Sequence, residues 1–243
     1  MRKLKVDLHT HTSEDSRDVV HYNALSLIDK AALLGYDAIA ITNHDRVTDD
    51  DHILSYARER DILLIPGMEA TLSGKHVVIL NPAQGDNFPE RTLDQLPELV
   101  RDNSLVFAPH PFFPQSKSLK GCCLEYISSF HAVEFSHFYT RHINFNKKAV
   151  KAAEAHSLPL IGTSDCHTLW EFGTTFTLVE ANRNTDSIIE SIKQGRIELV
   201  TSPLTSWQMA YILSKLSEIK FFQILPGLKP HSPHPHSHGD GPS

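Results

Sequence analysis

Apolar residues along this chain switch repeatedly between two spacings. Short runs that are apolar at every or every second position, such as LKVDLH (4–9) and DAIAIT (37–42), read as strands. Between them, apolar residues recur three and four apart, the spacing that lines one face of a helix. The clearest case is 23–35, where Leu27, Ala31 and Leu34 share a face and Gly35 is a natural stop. A second helix is expected over 49–60, whose acidic start suits a helix N-terminus. Strands follow at 62–72 and 76–81, then a helix around 92–103 and a strand at 104–109. A helical segment around 122–130, a strand at 132–136, a helix over 143–157 and a strand at 158–165 come next. A strand at 175–180, a helix over 185–195 and a strand at 197–202 complete the pattern.

Alternating strand and helix is the arithmetic of a parallel α/β sheet, and this many repeats favour a barrel over a small doubly wound sheet. Residues 203–225 are apolar at helical spacing and are expected to pack on that barrel as a C-terminal helix. Beyond Pro226 the chain turns to Pro, His, Ser and Gly, a composition too polar to fold alone, so a disordered His-rich tail is expected. The organisation read from the sequence is a barrel over 1–202, a helical segment over 203–225 and a tail over 226–243.

Composition narrows the class. At 40% hydrophobic and 21% charged residues, the chain has the material for a core. No apolar run approaches the roughly 18 residues of a membrane span, and MRKLKVDLHTHT lacks the apolar stretch of a signal peptide. Cys122, Cys123 and Cys166 make no disulfide framework, so a cytoplasmic location is expected. A formal net charge of −6 argues against a general nucleic-acid surface, and long nucleic acid is not an expected partner. The 16 histidines exceed what packing requires, and histidine is the commonest transition-metal ligand.

Their placement is more telling than their number. His9 and His11 sit two apart in DLHTHT, on one face of an extended segment, so both imidazoles can reach one ion. His44 and Asp45 follow the strand DAIAIT, Glu69 falls in IPGMEAT, His110 follows SLVFAP, and Asp165 and His167 follow LPLIG. Five successive strand ends finishing in metal-capable residues are hard to explain as packing. This donor set suits Zn²⁺, Mn²⁺ or Fe²⁺.

DLHTHT, AIAITNHD, PGME, APHP and GTSDCH occur here in the order of the polymerase-and-histidinol-phosphatase (PHP) family, which the chain resembles over roughly residues 4–200. The resemblance implies an α/β fold, a distorted (β/α)7 barrel, with two or three divalent metal ions at the C-terminal ends of its strands. It implies that His9 and His11 share one metal with Glu69 and Asp165, that Glu69 bridges to a second held by His110, and that His44 and His167 help hold a third. Asn43 departs from the family's TDHD and removes a carboxylate beside His44. A further ligand is expected after the first motif, where Asp18 is favoured over Asp15, and His76 is the candidate for a ligand between Glu69 and His110. His137 and Arg141 follow AVEFS at a strand end that borders the substrate in PHP-like phosphatases. Arg141 is assigned to phosphate, His137 to substrate, and His167 or His137 to protonation of the leaving group. Cys166, flanked by candidate ligands, is expected to turn away into the interior.

Three functions are compatible with these features: a phosphatase for a small phosphomonoester of the histidinol phosphate or nucleotide type, a phosphodiesterase or nuclease for short substrates, and a metal-binding regulatory barrel without turnover. A small phosphorylated substrate is the expected partner. Oligomeric state is not legible.

Overall fold

The computed structural model describes residues 3–83 and 91–214. Among them are nine strands: β1 (Lys3–Thr10), β2 (Ala38–Ile41), β3 (Leu63–Leu72), β4 (Lys75–Leu80), β5 (Leu105–Ala108), β6 (Ala132–Ser136), β7 (Leu160–Thr163), β8 (Thr175–Glu180) and β9 (Ile197–Thr201). The helices are α1 (Ala24–Leu33), α2 (Asp51–Glu59), α3 (Gly121–Glu125), α4 (Lys147–His156) and α5 (Thr185–Lys193). Asn23 starts α1 by accepting from the Ser26 N–H, and Asp50 starts α2 by accepting from the His52 and Ile53 N–H groups. The helix expected around 92–103 is a 3-10 segment, Leu93–Leu99, because Pro97 lies inside it and lacks the N–H that an α-helix needs. Residues 206–214 are helical, as expected for the start of the C-terminal segment. The rest of that segment and the tail expected over 226–243 lie outside the described residues.

The strands run β7-β6-β5-β4-β3-β2-β1-β8-β9 in one sheet that curls into a nearly closed barrel. It is less uniformly parallel than the alternation implies. β1–β2, β2–β3, β5–β6 and β6–β7 are parallel, while β3–β4, β4–β5, β1–β8 and β8–β9 are antiparallel. The β3–β4 reversal is made by Ser73 and Gly74, both at positive φ (49° and 70°), the geometry of a tight two-residue hairpin.

The gap between β7 and β8 is stitched by a side chain. The Thr177 hydroxyl donates to the Gly162 carbonyl and accepts from the Gly162 N–H, both at 2.9 Å. Gly162 is required there, since a Cβ would collide with Leu199 and come 2.9 Å from the Phe176 carbonyl oxygen. Just beyond the C-terminal end of β7, the Asp165 N–H donates to the His9 carbonyl (2.8 Å). This bond draws the two ends of the ligand series together.

One core cluster joins Val6, Leu8, Ile65, Leu80, Phe107 and Val179 to Ile188 and Ile192 of α5. A second packs Leu27, Ile28, Ile53 and Ala57 of α1 and α2 against Ile39 and Ile41 of β2, and includes Cys166. Cys166 is buried with its thiol 3.0 Å from the Tyr22 hydroxyl, and burial pushes that thiol above its ordinary pKa. No helix among the described residues is long and apolar enough to cross a membrane.

Candidate metal centre

Seven of the nine strands, β1 to β7, carry a polar residue to the same end of the barrel. His9 lies in β1 and His11 just beyond it, His44 follows β2, Glu69 is within β3 and His76 within β4. His110, His137 and Asp165 follow β5, β6 and β7. Three of these turns hold a non-glycine residue in the left-handed region, Asp45 at φ 53°, His110 at φ 30° and Asp165 at φ 43°. Such backbone costs about 1–3 kcal/mol per residue and persists where the surroundings hold it, commonly at functional sites.

The buried Glu69 carboxylate is the hub. Its Oε2 faces His44 Nε2 at 3.2 Å, His11 Nε2 at 3.3 Å and His9 Nε2 at 3.6 Å. Its Oε1 faces His76 Nδ1 at 2.9 Å and His110 Nε2 at 3.2 Å. Asp165 Oδ1 is 3.3 Å from His11 Nε2 and 3.6 Å from His9 Nε2, and those two nitrogens lie 3.3 Å apart. Four donor sets have ligand atoms within 4.8 Å of one another: His9, His11 and Glu69; His11, Asp165 and His167; His11, Asp15 and His44; His44, Glu69 and His76.

These residues fit a divalent cation. Four donors at about 2.1 Å from a tetrahedral ion lie roughly 3.4 Å from one another. The measured separations among His9, His11, Glu69 and Asp165 bracket that value. With Glu134 at His9 Nδ1 and Asp15 at His11 Nδ1, the neutral rings turn two Nε2 lone pairs toward one another, a pair that a cation between them would relieve. The electrostatics agree. Burial opposes charge on His9 and His11, yet neighbouring carboxylates (Asp165, Glu69 and Glu134 at His9; Asp15, Asp165 and Glu69 at His11) hold both well above their ordinary pKa. Burial likewise disfavours the charged forms of Glu69 and Asp165, and the surrounding imidazoles hold both well below the carboxylate range. The cluster demands positive charge at its centre, supplied by protons or by a metal ion.

The structure brings both acidic candidates of the first loop to the site in different roles. Asp15, buried, accepts from the His44 backbone N–H (2.8 Å) and lies 2.7 Å from His44 Nδ1 and 3.3 Å from His11 Nδ1. Asp18 Oδ2 lies 2.8 Å from His167 Nε2. His44 and His167, expected to share an ion, fall in separate donor sets. His167 is engaged at both ring nitrogens, Nδ1 meeting the Asp165 carbonyl at 3.0 Å. Burial works against its charge, but Asp18 and Asp165 raise its pKa to about 9. Asn43 replaces a carboxylate with a neutral clamp, accepting from the Thr12 N–H (3.0 Å) and donating to its hydroxyl (3.0 Å). Asp45 turns away to accept from the Thr71 N–H (2.6 Å) and to pair with Arg17.

Three supporting residues were not legible as such in the sequence. Glu134, buried in β6, accepts from the Thr163 hydroxyl and the His110 N–H and lies 2.8 Å from His9 Nδ1. It fixes the His9 ring so that Nε2 faces the centre. Gln115 Nε2 lies 2.9 Å from His110 Nδ1, to which its amide donates, and so fixes the angle of that ring. Glu171 accepts from the His167 N–H (3.2 Å) and the Thr168 hydroxyl (2.8 Å) and approaches His137 Nε2 at 3.7 Å.

A cavity of about 490 Å³ opens over the cluster, lined at its base by His11, His44, Glu69, His76, His110 and Asp165. His137 also lines it, buried, with neither ring nitrogen hydrogen-bonded, and burial lowers its pKa. Asn146 holds the end of β6 beneath it, accepting from the Ser136 N–H (3.0 Å) and donating to the Ser136 carbonyl (2.9 Å). Arg141 is exposed and is not among the lining residues.

Fold and site define a β/α barrel built around a cluster of candidate metal ligands. A family described as PHP-associated matches residues 144–197. A two-domain protein of Bacteroides vulgatus containing a predicted PHP-like metal-dependent phosphoesterase shares the fold. Its TM-score is 0.64 at 22% identity, over 82% of this chain and 65% of that one. The lesion-specific endonuclease Q of Pyrococcus furiosus shares it at TM-score 0.57 and 16% identity, over 81% of this chain and 57% of that one. An uncharacterized protein of Methanocaldococcus jannaschii is 29% identical over 183 residues, 71% of this chain and 69% of that protein. A PolC-type DNA polymerase III of Streptococcus pyogenes is 41% identical over 68 residues, 28% of this chain but 5% of the polymerase. These likenesses share the fold and part of the sequence of PHP-type proteins, the family whose motifs the sequence resembles.

Proposed function

We propose that this PHP-type enzyme hydrolyses phosphate esters with two or three bound divalent metal ions (Zn, Mn or Fe) and takes a small phosphomonoester as substrate. The observation that carries the reading is the Glu69 carboxylate, with three imidazoles on one oxygen and two on the other, beside a second donor carboxylate, Asp165. His9, His11, Glu69 and Asp165 would hold one ion, His44, His76 and His110 are placed to complete a second around Glu69, and Asp15, Asp18 and His167 border the rest. Bound there, divalent ions supply an activated water at neutral pH and a charge that polarises the phosphoryl group.

The chain's own groups divide the remaining work. Glu134 and Gln115 hold His9 and His110 in one orientation, so the donors need no rearrangement. His167 is occupied at both nitrogens, whereas His137 is buried at the cavity wall with neither nitrogen hydrogen-bonded. His137 is therefore the residue we assign to the leaving oxygen, to which it offers an N–H, with Glu171 behind it. Arg141, exposed and outside the cavity lining, is poorly placed to bind phosphate there.

A second reading, a nuclease acting on nucleotides or short oligonucleotides, is favoured by the likeness to endonuclease Q. A panel of phosphomonoesters and diesters assayed with Mn²⁺ and Zn²⁺ separates the two. Monoester turnover that Glu69→Gln abolishes, in a protein that still folds, is the expected result. No turnover of either class by metal-loaded protein removes the hydrolytic reading, and diester turnover alone selects the nuclease.

A further inference from the structure

The upper wall of the cavity differs in chemistry from its base. Phe113, Phe138, Ile143, Phe145, Met209 and Ile212 form it. The aromatic rings lead away from the cluster: His110 to Phe113 at 6.3 Å between centroids, Phe113 to Phe145 at 5.4 Å and to Phe138 at 6.4 Å. Among the described lining residues there is no lysine or arginine, while Asp18, Glu69, Asp165 and Glu171 all carry carboxylates. His137 stands between base and wall, its two ring nitrogens without a hydrogen bond.

We infer that this wall is a leaving-group pocket for an uncharged apolar moiety, so that the substrate is a phosphate ester of an aromatic or aliphatic alcohol with no second anionic group. The inference rests on the hydrolytic reading for its chemistry and on the pocket alone for its specificity. A single phosphate is neutralised at the base, where the donors gather positive charge. A second phosphate, or the backbone of a polynucleotide, would lie along the apolar wall, where rings and aliphatic groups but no lysine or arginine meet it, and its charge would lose water without a partner. An apolar group gains there what it loses in water, roughly fourfold in affinity per methylene buried. Flat rings gain further from edge and face contacts with the three phenylalanines. His137 marks the boundary, at the height where the ester oxygen would pass from phosphate to alcohol.

Two measurements test this. The first is the equilibrium binding of methylphosphonate, benzylphosphonate and an alkane bisphosphonate, followed by calorimetry on the metal-loaded full chain. The second is kcat/KM for methyl, butyl and benzyl phosphates, whose leaving alcohols are of similar acidity. Benzylphosphonate should bind at least about tenfold more tightly than methylphosphonate, and kcat/KM should climb about 100-fold from methyl to benzyl, as the methylene increment implies. Phe138→Ala, at a half-buried position, should compress both ratios. Ile143→Lys, at an exposed edge of the pocket, should raise affinity for the bisphosphonate relative to benzylphosphonate. Equal binding of methyl- and benzylphosphonate, or tighter binding of the bisphosphonate by the unaltered chain, overturns the pocket. Preferential benzylphosphonate binding without turnover of any ester leaves the pocket standing and removes the hydrolytic reading.

Discussion

Glu134 has no place in the ligand set, yet three groups converge on its carboxylate: the His9 ring, the Thr163 hydroxyl and the His110 N–H. Supporting carboxylates behind metal-bound histidines set the ring's tautomer and angle, and losing one typically costs 10–100-fold in affinity or activity. Glu134→Gln keeps the shape and removes the charge, so metal affinity should fall by roughly 10–100-fold while the melting temperature of the loaded protein changes little. Isothermal titration with Mn²⁺ checks this, and an unchanged constant would show that the His9 ring is held by packing alone. Histidines at strand ends were legible in the sequence because turn positions need no imidazole. Glu134 was not, since one acid within AVEFS resembles an ordinary solvent-facing strand residue. The available signal was that its strand is otherwise almost wholly apolar, which leaves a charge there nowhere to go but inward. Glu171, in a loop with no periodicity, left no signal at all.

Among the elements, strand positions and most helices followed from hydrophobic spacing, whereas strand direction did not. Alternation with helices suggested parallel pairing, but 72–76 carries a Ser-Gly turn between two strands, the mark of a hairpin. The barrel's closure was also illegible, because it is made by single bonds between loop and side-chain groups, among them one hydroxyl. Thr177 satisfies both the N–H and the carbonyl of buried Gly162. Thr177→Val preserves volume and strands both groups, each costing about 1–3 kcal/mol when buried unpaired. The chain should lose at least ~1 kcal/mol in denaturant unfolding, and Thr177→Ser should recover most of it. A neutral Thr177→Val would mean that water or a shifted strand takes over those bonds.

For the molecule as a whole, the centre ties stability to pH. Burial opposes charge on His167, but Asp18 and Asp165 raise its folded pKa to about 9, above the ordinary 6.5, and His9 and His11 are raised as well. A raised folded pKa stabilises the native state fully below the unfolded value, and that contribution is lost as pH climbs through the folded one. Metal-stripped protein should therefore melt at progressively lower temperature between about pH 6.5 and 9. Loaded protein should show the opposite trend in affinity, because each imidazole must shed its proton to bind and the ion replaces the lost charge. Scanning calorimetry of both forms across this range tests the pair of trends. A stripped protein whose melting temperature is flat over the range would contradict the first.

The position of β1 in the sheet bears on how the chain is made. It leaves the ribosome before the segments that cover one of its edges, the 165–166 turn at His9 and Thr10 and then β8, at 175–180, along Lys3–Val6. Until those segments emerge, a nascent chain carries a buried-type strand with an open row of backbone donors and acceptors, the template on which chains pair wrongly. Lys3 and Lys5 sit along that edge, opposite Glu180 and Leu178, and their charges would deter a second copy during the wait. A chain stopped at residue 174 should therefore accumulate as aggregate, and Lys3→Val with Lys5→Val should worsen it, whereas a chain stopped at residue 214 should fold. Sedimentation of freshly translated products of the two lengths would show whether the last strands release the first from that exposure.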